Sequence, residues 1–204
     1  MQKLLSLLLF SLLVMPGVVQ SAEPMIAPLN EELWTLEHKA IFYALNYVDE
    51  DDKAPINIIS TIAHDSALLR VFLPMATKLG STTKIDAREL ELLALRTAWR
   101  AKSVYEWEHH YSSGLKAGLS QSEMALLRTE KPDAGFGIRD LLLIQTADEL
   151  VAGTQLGADT MTRLMKEYTE AEVIEIIFIV NQYNGLSKFA NSVGVQLEPG
   201  YVRQ

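Results

Sequence analysis

Apolar residues recur along most of this chain at intervals of three and four, the spacing that gathers them on one face of an α-helix. From Glu31 onward Leu33, Trp34, Leu36, Ile41, Phe42, Leu45 and Val48 keep that spacing and stop near the acidic run Asp49 to Asp52. Pro55 to Ala63 reads as a short apolar helix. Asp65 is placed to cap a helix over 66–79, with Leu68, Leu69, Phe72, Leu73 and Met75 on its buried side and Gly80 as its stop. Asp86 and Glu89 form a capping-box pattern that opens a largely apolar helix carrying Leu90, Leu92, Leu93, Leu95, Ala98 and Trp99, in which Glu91 and Arg96 stand out. Lys102 and Ser103 break it, and the next helix runs to Lys116, ended by Ala117-Gly118-Leu119.

Ser120 with Glu123 repeats the capping-box pattern for a short helix to Arg128, and Pro132, Gly135 and Gly137 punctuate the loop from Thr129 to Gly137. Helical spacing resumes over 138–151 and 158–168. Thr169 with Glu172 caps a long final helix to about Ser192, apolar nearly all round from Val173 to Val180, which predicts a place in the core. No strand shows convincing alternation. The fold class is all-α, a compact multi-helix domain.

Composition narrows the setting. Lys3 followed by the apolar run Leu4 to Val14, Pro16-Gly17 and the small pair Ser21-Ala22 has the layout of a secretory signal peptide, so 1–22 is expected to be removed and the mature protein to be periplasmic or secreted. The apolar run is shorter than the roughly 20 residues of a spanning helix. Residues 23–56 then form an N-terminal leader and helix, and 57–204 the main domain. The chain has no cysteine, which excludes a lipid-anchored lipoprotein, a disulfide framework and a thiol redox centre. Removing Lys3 with the leader takes the formal charge from −8 to −9, a balance that favours neither nucleic acid nor an anionic membrane as partner.

The densest chemistry lies in Ser103-Val-Tyr-Glu-Trp-Glu-His-His110. On a helix Ser103, Glu106 and His110 share one face, and a hydroxyl, a carboxylate and an imidazole in a row can move protons near neutrality. His109 points about 100 degrees away from His110, toward another surface or a subunit interface. Ser103 also suits a helix cap, Tyr105 and Trp107 suit packing, and His38 and His64 suit structural roles. Glu106-x-x-His109 has di-iron spacing but only one copy, so no metal is expected. Tyr183 and Asn184 interrupt the last helix and could line a pocket.

Five blocks in order, Asn57-Ile-Ile-Ser-Thr-Ile-Ala-His-Asp65, Arg88-Glu-Leu-Glu-Leu-Leu-Ala-Leu-Arg-Thr-Ala-Trp99, Tyr105-Glu-Trp-Glu-His-His110, Lys116-Ala-Gly-Leu119 and Gly194-Val-Gln-Leu-Glu-Pro199, resemble the carboxymuconolactone decarboxylase family, which also contains the alkylhydroperoxidase D proteins. The redox branch of that family carries C-x-x-C-x-x-x-H with a glutamate twelve residues before the first cysteine; those positions are here Ser103, Glu106, His110 and Glu91. With both sulfurs replaced, thiol-dependent peroxide reduction has no chemistry to run on.

The decarboxylase branch has a glutamate four residues before the histidine, as Glu106 stands to His110. The resemblance therefore implies a cofactor-free, lyase-like or isomerase-like acid–base reaction on a small organic acid or lactone, in which a dienolate is protonated. In that scheme His110 is the acid, Glu106 its orienting partner and Glu91 a second relay carboxylate, or else the ion-pair partner of a nearby arginine. Ser103 and Tyr105 are substrate contacts, and Arg96 or Arg100 would hold a substrate carboxylate. The rival is a non-catalytic ligand-binding protein on the same fold. The family further implies a homo-oligomer, trimer or hexamer, with the pocket near subunit contacts.

Overall fold

A computed structural model of the chain describes residues 23–44, 56–132 and 135–204. Every regular element among them is helical. A single 3-10 turn, Glu31–Leu33, precedes α1 (Leu36–Ala44), and α2 (Asn57–Ile62), α3 (Ser66–Ser81), α4 (Ala87–Arg100), α5 (Val104–Lys116), α6 (Gln121–Leu127), α7 (Ile138–Ala152), α8 (Ala158–Glu167) and α9 (Glu170–Val193) follow. The expected signal segment 1–22 and the acidic run Asp49 to Asp52 lie outside the described residues.

Local chemistry sets the helix starts. Asp65 accepts from the N–H groups of Ala67 and Leu68, and Asp86/Glu89, Ser120/Glu123 and Thr169/Glu172 each close a capping box, satisfying backbone donors that a helix start leaves free. At the far end Gly194 adopts a left-handed conformation (φ 72°), and the Val195 N–H turns back to the Ala190 carbonyl. That reversal sends the C-terminal tail across α5.

The fold is organised around α4, which is buried on every side from Glu89 to Ala98 and packs against α5, α7 and α9. One apolar core joins α4, α7 and α9 through Leu92, Leu93, Leu95, Leu143, Ile176 and Ile179. A second, built from Phe42, Ile58, Ile59, Ile62, Leu69, Leu73, Tyr105, Ala190 and Val195, ties α1 and α2 to the end of α9. The leader is stitched on by backbone bonds, Met25 and Ile26 N–H to the Val193 carbonyl and Leu29 N–H to the Ser60 carbonyl, and by His64, whose Nε2 lies 3.0 Å from the Ala27 oxygen. His38 accepts the Thr35 N–H through Nδ1. Both histidines hold the N-terminal segment in place.

Two expectations about burial need correction. α3 continues through Gly80 to Ser81, and only Leu69, Leu73 and Leu79 are buried, while Leu68 and Met75 face outward. α9 is not enclosed all round: Ile174 and Phe178 are 56% and 55% exposed although their neighbours Val173, Ile176, Ile179 and Val180 lie in the core. An apolar stretch of sequence marks affinity for nonpolar contact, and here one face is covered and the other left open.

Candidate functional site

The α4–α5 turn places the reactive side chains. Ala101 to Ser103 connect the two helices, with Lys102 at φ 57°, a left-handed conformation that aims α5 back along α4. Ser103 caps α5, its Oγ accepting the Glu106 N–H at 3.3 Å, and its N–H bonds the Ala98 carbonyl at 2.9 Å. The two helices then run side by side, and Glu91 on α4 comes opposite His110 on α5.

His110 Nδ1 lies 2.8 Å from Glu91 Oε2, and Nε2 lies 3.9 Å from Glu106 Oε2. A carboxylate can only accept, so Nδ1 carries the proton toward Glu91 and Nε2 faces Glu106. The hydrogen-bond partner of the ring is thus Glu91 and not the expected Glu106. Glu91 orients the ring, and Glu106, one helical turn away, is too far for a direct hydrogen bond. Tyr183 from α9 meets the imidazole edge-on, with ring centroids 4.7 Å apart. Asn184 and Ser187, on the same part of α9, are buried with side-chain oxygens that have no partner among the described residues.

Electrostatics follow from this packing. Burial raises the Glu106 carboxyl above the usual carboxylate range, and the positive charge of His110 and His109 only partly opposes it. Burial works against a charged His110, but the hydrogen bond to Glu91 and the charges of Glu91 and Glu106 outweigh it, so His110 is also raised. Burial likewise raises the Tyr183 phenol. Glu106 and His110 both keep their protons to higher pH than usual.

Arg96 does not reach a substrate. It is fully buried, grips both carboxylate oxygens of Asp148 at 2.6 and 2.7 Å, and donates to the Leu127 and Thr129 carbonyls. A guanidinium with its donors satisfied inside the protein ties α4 to α7 and to the loop after α6. Arg100 is paired too, with Glu130 and Asp148. Ser103 is a buried cap, and the Tyr105 hydroxyl lies between the Ile58 N–H, which it accepts, and Glu198, to which it donates. Neither serine nor tyrosine has a hydroxyl presented to a ligand in this arrangement.

Sequence reading missed Glu198. It stands in one of the blocks that carry the family resemblance, but its partners are far away in sequence: Oε1 accepts from the Asn57 N–H and the Tyr105 hydroxyl, and Oε2 lies 2.8 Å from His109 Nε2. Burial alone would raise this carboxyl. The hydrogen bonds from His109 and the Asn57 N–H overcome that and lower it to about 2. His109, expected to face another surface, is instead half of a second imidazole–carboxylate pair.

Among the described residues no three His, Asp or Glu side chains are grouped to hold a metal ion. A surface cavity of about 390 Å³ lies between α1 and α3, lined by residues that include Ile41, Arg70, Pro74 and Lys78, and shares none with the His110 cluster. Its chemistry is one ion-forming rim on an apolar wall. The convergence of titratable groups, not cavity size, marks the site.

Comparison with known proteins bears on the family and the fold. The sequence model of the carboxymuconolactone decarboxylase family matches residues 66–141, a span that holds Glu91, Glu106 and His110 but not Glu198. No curated protein matches the chain in sequence. Several solved structures share the fold. An uncharacterized peroxidase-related protein from Silicibacter sp. TM1040 superposes with a TM-score of 0.70 at 14% identity, over 87% of this chain and 91% of that one. The debrominase Bmp8, in a cysteine-to-alanine variant in complex with 2,3,4-tribromopyrrole, gives 0.69 at 14% identity over 87% and 94%. An AhpD-type protein of unknown function from Agrobacterium tumefaciens gives 0.60 at 14% identity over 67% and 94%.

Proposed function

We propose that this chain, whose residues 66–141 match the sequence model of the carboxymuconolactone decarboxylase family, is a member of that family and a cofactor-free acid–base enzyme, lyase-like or isomerase-like, acting on a small organic acid or enolisable lactone. The observation that carries this reading is the Glu91–His110 pair beside the buried Glu106 carboxyl. Glu91 fixes the ring, and His110 works through Nε2: in an acid it protonates the dienolate left when carbon dioxide departs, and in a lactone the neutral imidazole takes the α-proton and returns it to the far carbon of the dienolate, while Glu106 holds a second proton within one helical turn. Tyr183, edge-on to the imidazole, is the neighbouring donor for the enolate oxygen. The ligand of the debrominase neighbour supports small-molecule binding on this fold.

The test is isomerisation of a β,γ-unsaturated lactone, α-angelica lactone, to its conjugated form, followed by ultraviolet absorbance, with wild type and His110→Gln. The reading expects turnover by wild type and its loss in the variant with the fold and ligand binding intact. Unchanged turnover in His110→Gln overturns the assignment. On the layout of residues 1–22 the same proposal puts the mature protein in the periplasm or outside the cell, which N-terminal sequencing of the fractionated protein checks. The open apolar residues Ile174 and Phe178 support a homo-oligomer, trimer or hexamer, which light scattering would count.

A further inference from the structure

The arginines that share α4 with Glu91 are all committed away from His110. Arg96 is fully buried on Asp148 and two backbone carbonyls, and Arg100 pairs with Glu130 and Asp148. Arg88 is held by Asp140 and Glu123. Lys78, toward the end of α3, pairs with Glu175 on α9. Around His110 itself the neighbouring charges are carboxylates, with Glu91 2.8 Å from Nδ1 and Glu106 3.9 Å from Nε2. Glu91 and Glu106 are also the charges that act on the Tyr183 phenol, and Glu106 in turn feels those of His110 and His109. Among the described residues no lysine or arginine joins this group.

A carboxylate brought to this place would leave water without gaining a cation. The imidazolium cannot serve, because Glu91 already neutralises it across a 2.8 Å hydrogen bond. With the ring neutral, the Glu91 charge would repel the incoming anion. The other polar groups are uncharged. Tyr183 stands edge-on to the imidazole, and Asn184 and Ser187 on the same helix are buried with side-chain oxygens that have no partner among the described residues. There is room at the Tyr183 hydroxyl, because α3 meets it with Gly80. A Cβ at Gly80 would stand 3.7 Å from the Tyr183 oxygen and touch nothing else outside its own helix within 4 Å.

Resting on the acid–base reading above, we infer that the substrate is an uncharged enolisable lactone and not an organic acid, so that the reaction moves a double bond and releases no carbon dioxide. With its Nδ1 proton on Glu91, the neutral imidazole has its lone pair on Nε2. Nε2 takes the proton of the carbon next to the carbonyl, and the electron pair of that C–H bond spreads into the carbonyl as a dienolate. The same proton then forms a C–H bond at the far carbon, and the double bond comes into conjugation with the carbonyl. One proton is taken and one returned, and nothing is oxidised or reduced. Uncharged donors such as the Tyr183 hydroxyl suit the oxygen of a neutral substrate, whose negative charge appears only during the reaction.

Binding to the full chain tests this without turnover. The probes are two five-membered rings: γ-valerolactone, which is neutral and saturated, and tetrahydro-2-furoate, which carries a carboxylate. Each is titrated at about pH 8 into protein with nitrogen-15-labelled histidine, and the His110 signals give its dissociation constant. γ-Valerolactone is expected to bind at least about tenfold more tightly than the acid, and Glu91→Gln to shrink that ratio by improving the acid. Acid binding as tight as that of the lactone, a His110 response to neither probe, or a ratio that Glu91→Gln leaves unchanged overturns the inference. If wild type does not isomerise α-angelica lactone while the ratio holds, the proposed reaction fails and the preference for an uncharged ligand stands.

Discussion

Glu91, nineteen residues upstream of His110 and on a different helix, is the hydrogen-bond partner of its Nδ1 at 2.8 Å. The carboxylate therefore sets both which nitrogen faces the rest of the site and how firmly the ring holds its proton. Glu91→Gln retains a hydrogen-bonding side chain of the same shape but removes the charge. The His110 midpoint, read by NMR, is expected to fall in this variant, and lactone turnover to fall about 10²-fold or more as the imidazole becomes a weaker base.

Glu106 and His110 both have raised folded-state values, and the sign of their effect on stability is the same. Such groups stabilise the fold below their unfolded values, near 4.5 and 6.5, and that stabilisation is lost as pH rises through the folded values. Glu106→Gln removes the first of these losses. At neutral pH the variant is expected to melt higher than wild type, with the difference disappearing toward pH 4, even as turnover drops. Calorimetry between pH 4 and 8 checks it.

Glu198 runs the other way. Its carboxyl is lowered to about 2 by its hydrogen bonds, so it stabilises the fold above the unfolded value near 4.5 and loses that contribution as pH falls toward 2. Acid unfolding of Glu198→Gln is expected to be shallower over that window, which circular dichroism against pH would reveal.

Arg96 is structural, and its removal should show it. Arg96→Ala leaves the Asp148 carboxylate with only its 3.5 Å contact to Arg100 and takes the Arg96 donors from the Leu127 and Thr129 carbonyls, a loss of about 3–5 kcal/mol by urea denaturation. Arg96→Lys, which cannot make the two-pronged contact, is expected to recover only part of it.

Two glycines should respond in opposite directions. A Cβ at Gly114 would stand 2.5 Å from Met124 Cε and 2.8 Å from Leu95 Cδ1, whereas at Gly185, in the exposed middle of α9, it meets nothing within 4 Å. Gly114→Ala is expected to cost about 1–3 kcal/mol through overpacking, and Gly185→Ala to stabilise by about 0.5–1 kcal/mol. Urea midpoints distinguish them.

What was legible in the sequence was what the chain decides locally. A cap acts on backbone groups two or three residues away, so Asp65, Asp86, Ser103, Ser120 and Thr169 could be placed directly. The closeness of Glu106 and His110 is also a matter of helical spacing. Long-range pairing was not legible. Nothing local says that Arg96 finds Asp148 on another helix, or that Glu198 reaches back to His109 and Asn57. For the same reason His110 takes its partner from α4 and not from its own helix. Apolar patterning showed which helices bury a face, but not that Phe178 would stay outside while Ile179 beside it is enclosed.

The turn over residues 101–103 has a consequence for how this chain tolerates length changes. One residue added there would rotate α5 by about 100 degrees relative to α4, carrying His110 away from Glu91 and bringing the other imidazole round. The two neighbouring histidines make the register of α5 a choice between two carboxylate partners, one on α4 and one on the tail. Insertions in the loop between α6 and α7 have no such lever on the site, because α5 has already been aimed before the chain reaches it.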